Sequence, residues 1–375
     1  MSGQGRSILG LAKEISLLGP RLPGTEAERK CLSLVSERLT RLGLSPEMDE
    51  FEFLDWRPVR QEFIAPDGSS LQCSQLGYSP SGSFKSEIAY CGYGEVDDCS
   101  DAKGRIAVVE SGWEGSSRFL HRIQKYRNAV EAGAGAFVLV GQPGRSAPRG
   151  IIRKRKLGQI PAISVPYTVG RTLMGDVGRG TFAVITESET ARAESANLVV
   201  ELGGREPGVL VSAHVDSWTD GAWDNASGTA LLVQLCNLLA SKPTKHRLSL
   251  LFCGAEELGL FGSRRFVEQH QGEYAFAVNV DGVGLRGSKL QVRCSNPSLS
   301  RMPPLRGIYS ELPLTPWGDH WSFHLAGIQT LFVTTNGANQ IQHTEEDGPD
   351  CLDEKELESA LHLVFKIVRY LDSII

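Results

Sequence analysis

Four apolar runs, each stopping on side chains able to hold a cation, constrain this chain more tightly than any other feature. Gly208-Val-Leu-Val-Ser-Ala213 ends on His214-Val-Asp216, and Asp224 follows just before a helix-like segment. Leu248-Ser-Leu-Leu-Phe-Cys-Gly-Ala runs into Glu256-Glu257, Tyr274-Ala-Phe-Ala-Val-Asn-Val into Asp281, and Gln329-Thr-Leu-Phe-Val-Thr-Thr335 precedes His343. From Ala196-Asn-Leu-Val-Val-Glu201 onward, strands alternate with helices, the pattern of a mostly parallel sheet. Ligands in an open α/β sheet sit outside the carboxyl ends of its strands. The four ends are therefore expected to face one crevice.

The expected fold is α/β: a mostly parallel mixed sheet flanked by helices, with a smaller β-rich inserted domain. The helix after the first site carries Leu231, Leu232, Leu235, Leu238 and Leu239 on one face. The last helix carries Leu357, Leu361, Val364, Val368 and Leu371, started by Asp353 with Glu356 three residues on. These stripes are core, not cofactor contacts.

A chain of 375 residues exceeds the size at which one core keeps growing, so two domains or a domain with an insertion are expected. A net charge of -5 and a pI near 6.0 argue against a general nucleic-acid or membrane-surface role. Charge interrupts the opening apolar stretch too early for a signal peptide, and no later run approaches a membrane span, so the chain reads as cytoplasmic. The eight cysteines include no Cys-x-x-Cys pair and signal neither a disulfide framework nor a thiolate zinc site. Cys236 and Cys253 lie in apolar runs, as buried thiols would.

Residues 7–19 and 25–43 read as helices, with Leu32, Val35, Leu39 and Leu42 at helical spacing and Thr25 and Glu28 placed for a capping box. Domain boundaries are expected at 1–59 (first part of the α/β domain), 60–190 (insert) and 191–375 (the rest of the α/β domain, with the four strand ends). The insert shows short strands broken by Gly and Ser and one helix at about 117–132. Its order, Lys103-Gly-Arg-Ile-Ala-Val-Val-Glu, then Ala129-Val-Glu-Ala-Gly-Ala-Gly-Ala-Phe-Val-Leu-Val, then Ile160-Pro-Ala-Ile-Ser-Val, resembles a protease-associated domain, which implies an accessory or lid module. Arg145, Arg149, Arg153, Lys154, Arg155 and Lys156 form a basic stretch, read as a solvated loop, with recognition of acidic peptide tails as the sharper alternative.

Singly, the site residues are weak signals: Glu256-Glu257 alone reads as an exposed acidic loop, and His343 alone as a surface histidine. Together, His214-Val-Asp216, Gly221-Ala-Trp-Asp224-Asn-Ala-Ser-Gly228, Gly254-Ala-Glu256-Glu257-Leu-Gly-Leu-Phe-Gly-Ser263, Asn279-Val-Asp281 and His343-Thr-Glu-Glu-Asp347 resemble the M28 family of co-catalytic zinc aminopeptidases. The match covers the chain outside the insert. It implies a fold of the zinc-peptidase type, a peptide substrate and two zinc ions per chain. In that resemblance His214 and Asp281 bind one ion, Glu257 and His343 the other, and Asp224 bridges them. It further implies that Glu256 is the general base, that Asp216 orients His214, and that the peptide after Asp224 is cis. Imidazole and carboxylate without thiolate suit zinc and leave cobalt or manganese open.

Two departures stand out. Gly318-Asp319-His320-Trp-Ser-Phe323 resembles the family's Ser-Asp-His-x-Pro-Phe with Ser and Pro replaced, so Asp319 and His320 either line the crevice or pack. Gln342 stands where relatives often carry a tyrosine that can stabilise the oxyanion. Gly282-Val-Gly284-Leu-Arg-Gly287 fits a dinucleotide fingerprint, but Lys289-Leu-Gln-Val-Arg-Cys294 reads as a strand where a helix is required. The expected activity is metal-dependent aminopeptidase. Its alternatives are a carboxypeptidase or dipeptidase on short acidic peptides, a glutaminyl cyclase, and a non-catalytic binding protein of the same scaffold.

Overall fold

The structure, a computed structural model, describes residues 7–112, 120–240, 242–308, 313–336 and 340–375. The chain divides into two compact units: Met1–Phe53, Ala193–Ala338 and Asp347–Ile375 form the first, Leu54–Arg192 and Asn339–Glu346 the second.

Helices α1 (Ile8–Ser16) and α2 (Glu26–Arg41) open the first unit, capped by the hydroxyls of Ser7 and Thr25, which accept the Gly10 and Glu28 N–H groups. The expected capping box closes only on one side. The Glu28 carboxylate turns away from Thr25 and accepts from the Gly24 N–H at 2.6 Å and the buried Ser195 hydroxyl at 2.7 Å.

Strand β1 (Glu47–Ile64) carries the chain into the second unit, where β2 (Ser70–Leu71), β3 (Ser74–Gln75) and β4 (Gly82–Ser86) are short. Strands β5 (Ile88–Tyr90), β6 (Ile106–Glu110), β7 (Ala136–Val140) and β8 (Ala162–Val165) pair in parallel, with β3 antiparallel to β8. Side chains alternate between the two faces of this sheet. Ala107 and Val109 enter one cluster with Tyr126 and Ala129 of α3 (Arg122–Glu131), and Ile106 and Val108 enter another with Leu173 of α4 (Tyr167–Gly175). The sequence pointed to one helix here; α4 is the second, and the first residues of the expected 117–132 helix lie partly outside the described residues. In the basic stretch Lys156 is exposed and the other five cations are half-buried, and the backbone around them pairs with residues 77 and 78 through Gly150, Ile152 and Gly158.

Strand β9 (Phe182–Leu202) returns the chain to the first unit. There β10 (Arg205–His214), β11 (His246–Cys253), β12 (Tyr274–Val280) and β14 (Gln329–Thr335) run parallel, with β13 (Leu290–Cys294) antiparallel to β14. Helices α5 (Ser227–Ala240) and α8 (Glu354–Ile374) pack with α1 over β10, while α6 (Phe261–Gln269) and α7 (His320–Leu325) pack together beside β12 and β14. In α8 the buried stripe is Leu357, Ala360, Leu363, Val364, Ile367, Val368 and Leu371; Leu361 is only partly covered. The sheet is mixed and mostly parallel at its centre, flanked by helices, as the alternation of elements required. No helix among the described residues is long and apolar enough to cross a membrane.

The strand-following segment at β12 also accounts for the glycines that mimic a nucleotide motif. A Cβ on Gly282, at φ 71°, would lie 2.1 Å from the Trp223 ring, and one on Gly284 would lie 2.3 Å from Leu357. Both are needed for close packing. Strand β13 follows them, so no helix N-terminus is offered to a pyrophosphate.

Candidate active site

Register brings the strand ends together. His214 pairs with Cys253, Ser212 with Asn279 and Val280 with Val333, so β10, β11, β12 and β14 finish at one edge of the sheet. His214 is the last residue of β10, Asp281 the first after β12, and Glu256 and Glu257 leave the turn after β11.

At that edge His214 Nε2 lies 3.1 Å from Asp224 Oδ1 and 3.5 Å from Asp281 Oδ1. One ligand atom from each of these three residues falls within 4.8 Å of the others, and Asp224 and Glu257 also approach within 4.8 Å. His214 Nδ1 is 3.0 Å from the Asp216 carbonyl. That contact puts a proton on Nδ1, where it donates to the carbonyl, and turns Nε2 toward the carboxylates. His343 lies in the segment Asn339–Glu346 of the second unit, buried and with φ 59°.

Asp216 acts mainly through its backbone on His214: its carboxylate is 3.6 Å from Nδ1, beyond hydrogen-bond reach. That carboxylate instead accepts from the Glu256 N–H at 3.1 Å and the Glu257 N–H at 2.9 Å. It thereby fixes the turn from which two adjacent acidic side chains depart. Ala255, at φ 55°, gives the turn its sharpness.

Polar side chains that sequence reading left unassigned hold the remaining donors in place. Asp347 accepts from the N–H groups of Trp223 at 2.6 Å and Asp224 at 3.0 Å. Asn225 donates to the Val280 carbonyl at 2.9 Å and accepts from Gly228 and Gly282, tying the Asp224 segment to the strand end before Asp281. The Asp224–Asn225 peptide is cis, as the resemblance implied. Arg21 is fully buried and donates to the carbonyls of Ile15, Gly19, Val215, Asp220 and Gly221, so it clamps the loop between His214 and Asp224. Arg21 sits in a Gly/Pro turn nearly two hundred residues upstream, and nothing local marks it. Asp347 was visible only as the last letter of the His343 segment.

Charge explains what this arrangement requires. Asp216, Asp224, Asp281 and Glu256 gather around the His214 imidazole, Glu257 lies close to Asp224, and Asp319 and Asp347 are buried. Burial opposes a charged His214 ring, yet Asp281 and Glu256 outweigh it and push its pKa well above the usual range. Burial, countered by His214 and reinforced by Glu257, pushes Glu256 well up. Burial raises Asp319 to about 6, and burial with the charge of Asp224 raises Asp347 to about 7. A counter-ion would stabilise buried acidic groups gathered this closely in their charged form. The donors fit one: zinc takes imidazole nitrogen and carboxylate oxygen at about 2.0–2.2 Å, which suits ligand atoms a few ångströms apart. Cys253 stands at the same edge, where burial pushes its thiol well above the ordinary range. His320 is held by packing, its ring 4.2 Å from Phe332 and its Nε2 2.7 Å from the Thr315 carbonyl.

Parallel strands that deliver an imidazole and several carboxylates to one buried edge define a metal-dependent α/β hydrolase. Residues 197–368 match the model of Peptidase family M28 and residues 62–173 that of the PA domain. These matches make the chain similar to peptidase family M28 over residues 197–368 and to the PA domain in its insert, and mark it as a hydrolase acting on peptides. It is 29% identical to Aminopeptidase YwaD of Bacillus subtilis (strain 168), over 92% of this chain and 80% of that protein. It is 24% identical to Carboxypeptidase Q of Mus musculus, over 83% of this chain and 72% of that protein. A zinc aminopeptidase structure from Bacillus subtilis superposes with a TM-score of 0.74 at 23% identity, covering 96% of this chain and 93% of its own. The Peptidase M28 precursor from Shewanella amazonensis SB2B gives a TM-score of 0.79 at 18% identity, covering 97% and 92%.

Proposed function

We propose that this chain is an aminopeptidase that removes N-terminal residues from peptides with the help of two divalent cations, zinc in the first instance. His214 and Asp281 would hold one, Glu257 and His343 the other, and Asp224 both. The observation that carries the reading is the double membership of Asp224, which offers an oxygen to His214 and Asp281 on one side and to Glu257 on the other. When bound, such a pair lowers the pKa of water and polarises the scissile carbonyl.

The chain's own residues supply the rest. Glu256 takes the proton from the attacking water and passes it to the leaving amine. Asp216 grips the Glu256 and Glu257 amides and so keeps base and ligand aimed apart. The Nδ1–H contact to the Asp216 carbonyl fixes the tautomer of His214.

The direction of attack rests on the similarity to Aminopeptidase YwaD across nearly the whole chain. Similarity to Carboxypeptidase Q supports a second reading, cleavage from the other end or of dipeptides. Peptides blocked at either terminus, assayed beside the metal content of the preparation, separate them. Cleavage of C-blocked but not N-blocked peptides by zinc-containing protein is expected, and the reverse preference would overturn the aminopeptidase reading.

A further inference from the structure

Within the second unit, residues 343–346 are tied to residues 146–149 of the insert. The Ser146 hydroxyl donates to Glu346 Oε2 at 2.9 Å and accepts from the Glu345 N–H at 3.0 Å, while the Ser146 N–H donates to Glu346 Oε1 at 3.0 Å. The Arg149 N–H donates to the carbonyl of His343 itself at 2.9 Å. The Arg149 guanidinium lies 3.8 Å from the Glu345 carboxylate.

His343 needs this support. At φ 59° it occupies the left-handed region, which a residue with a Cβ keeps only where its surroundings impose it. A turn closed by the Thr344 N–H and hydroxyl on the Ile341 carbonyl supplies part of that constraint, and contacts to residues some 200 positions away supply the rest. Partial burial works against a charged Glu346, but hydrogen bonds from Thr344 and Ser146 hold its carboxyl below the usual range, and the staple stays ionic. By contrast, His214, Asp224 and Asp281 are braced by Asp216, Asn225, Asp347 and Arg21, all within the first unit.

We propose that the Ser146–Arg149 loop of the insert is the positioning element for His343, so that one of the two cations is held only as firmly as the insert holds this loop. This rests on the assignment of His343 as a ligand under the proposed function. The PA domain would then contribute to metal retention.

Zinc-loaded full-length protein, titrated with a chromophoric chelator, reports the two affinities separately. Partners of metal ligands typically contribute 10–100-fold to affinity, so Ser146→Ala should weaken one ion by about 10-fold and leave the other unchanged. The weakened ion should be the one lost in His343→Ala, and Ser146→Thr, which keeps the hydroxyl, should restore it. Should Ser146→Ala fail to fold, Glu346→Gln, which sets an amide against the Ser146 donors, carries the same expectation. Two unchanged affinities, or equal weakening of both, overturn the proposal and leave the two-cation reading standing. Wild-type protein that binds a single ion overturns the two-cation reading and this inference with it.

Discussion

Glu256 and Glu257 are neighbours in the chain, and the proposed function gives them separate tasks. Both amides donate to Asp216, and a Glu257 carboxylate oxygen lies within 4.8 Å of Asp224. Glu256→Ala should therefore lower kcat on the order of a thousandfold, the weight of a general base, while zinc content stays at the wild-type level. Parallel loss of metal would place Glu256 among the ligands instead. Glu28 makes a prediction about pH. Burial pushes its carboxyl up to about 8, above the ordinary 4.5 of the unfolded chain, so between those values the folded state binds the extra proton. Its stabilising protonation is complete below the lower value and lost as pH rises through the upper one. Stability should fall by up to about 1.4 kcal/mol per pH unit across that window, and Glu28→Gln should flatten the slope in thermal melts between pH 5 and 8.

At the scale of elements, the turn after β12 shows how a glycine pattern that resembles one function serves another. Gly282 carries a positive φ and faces the Trp223 ring, whose Nε1 donates to Thr335 Oγ1 at 3.0 Å. A methyl there must displace the ring that precedes Asp224. Gly282→Ala should cost about 1–3 kcal/mol by overpacking, with the strain of the positive φ in addition, measured by denaturant unfolding. Metal affinity should fall with it, since Trp223 and Asp224 share the Asp347 clamp. The same reasoning explains the half-made box at α2: Glu28 finds the buried Ser195 hydroxyl, so tertiary demand overrides the local motif.

For the whole molecule, the carboxylate cluster links folding to metal. A cation that binds only the folded state, at a hundred to a thousand times its dissociation constant, adds about 3–4 kcal/mol. Stripping with a chelator should lower the melting temperature by roughly 5–15 °C, given a few degrees per kcal/mol for a unit of this size. Zinc should restore it and magnesium, which prefers oxygen ligands and its own water shell, should not. A melting temperature indifferent to chelation would contradict a cation at this cluster.

The alternation of strands and helices and the residues on which the strands stop were legible in the chain, because hydrophobic period and strand-end position are local properties. His214, Asp224, Glu257 and Asp281 were found that way. Arg21, Asp347 and Ser146 were not: each acts through backbone groups far along the chain, and a side chain that hydrogen-bonds a distant carbonyl or amide leaves no periodic or compositional trace. The insert's second helix and the partial covering of its basic stretch were likewise decided by sheet faces and strand pairings that exist only after folding. Sequence alone marked the ligand-type side chains at the strand ends. The tertiary structure decided which residues hold them still, because a donor's type is written in its own letter, whereas its orientation depends on partners that only the folded chain brings near.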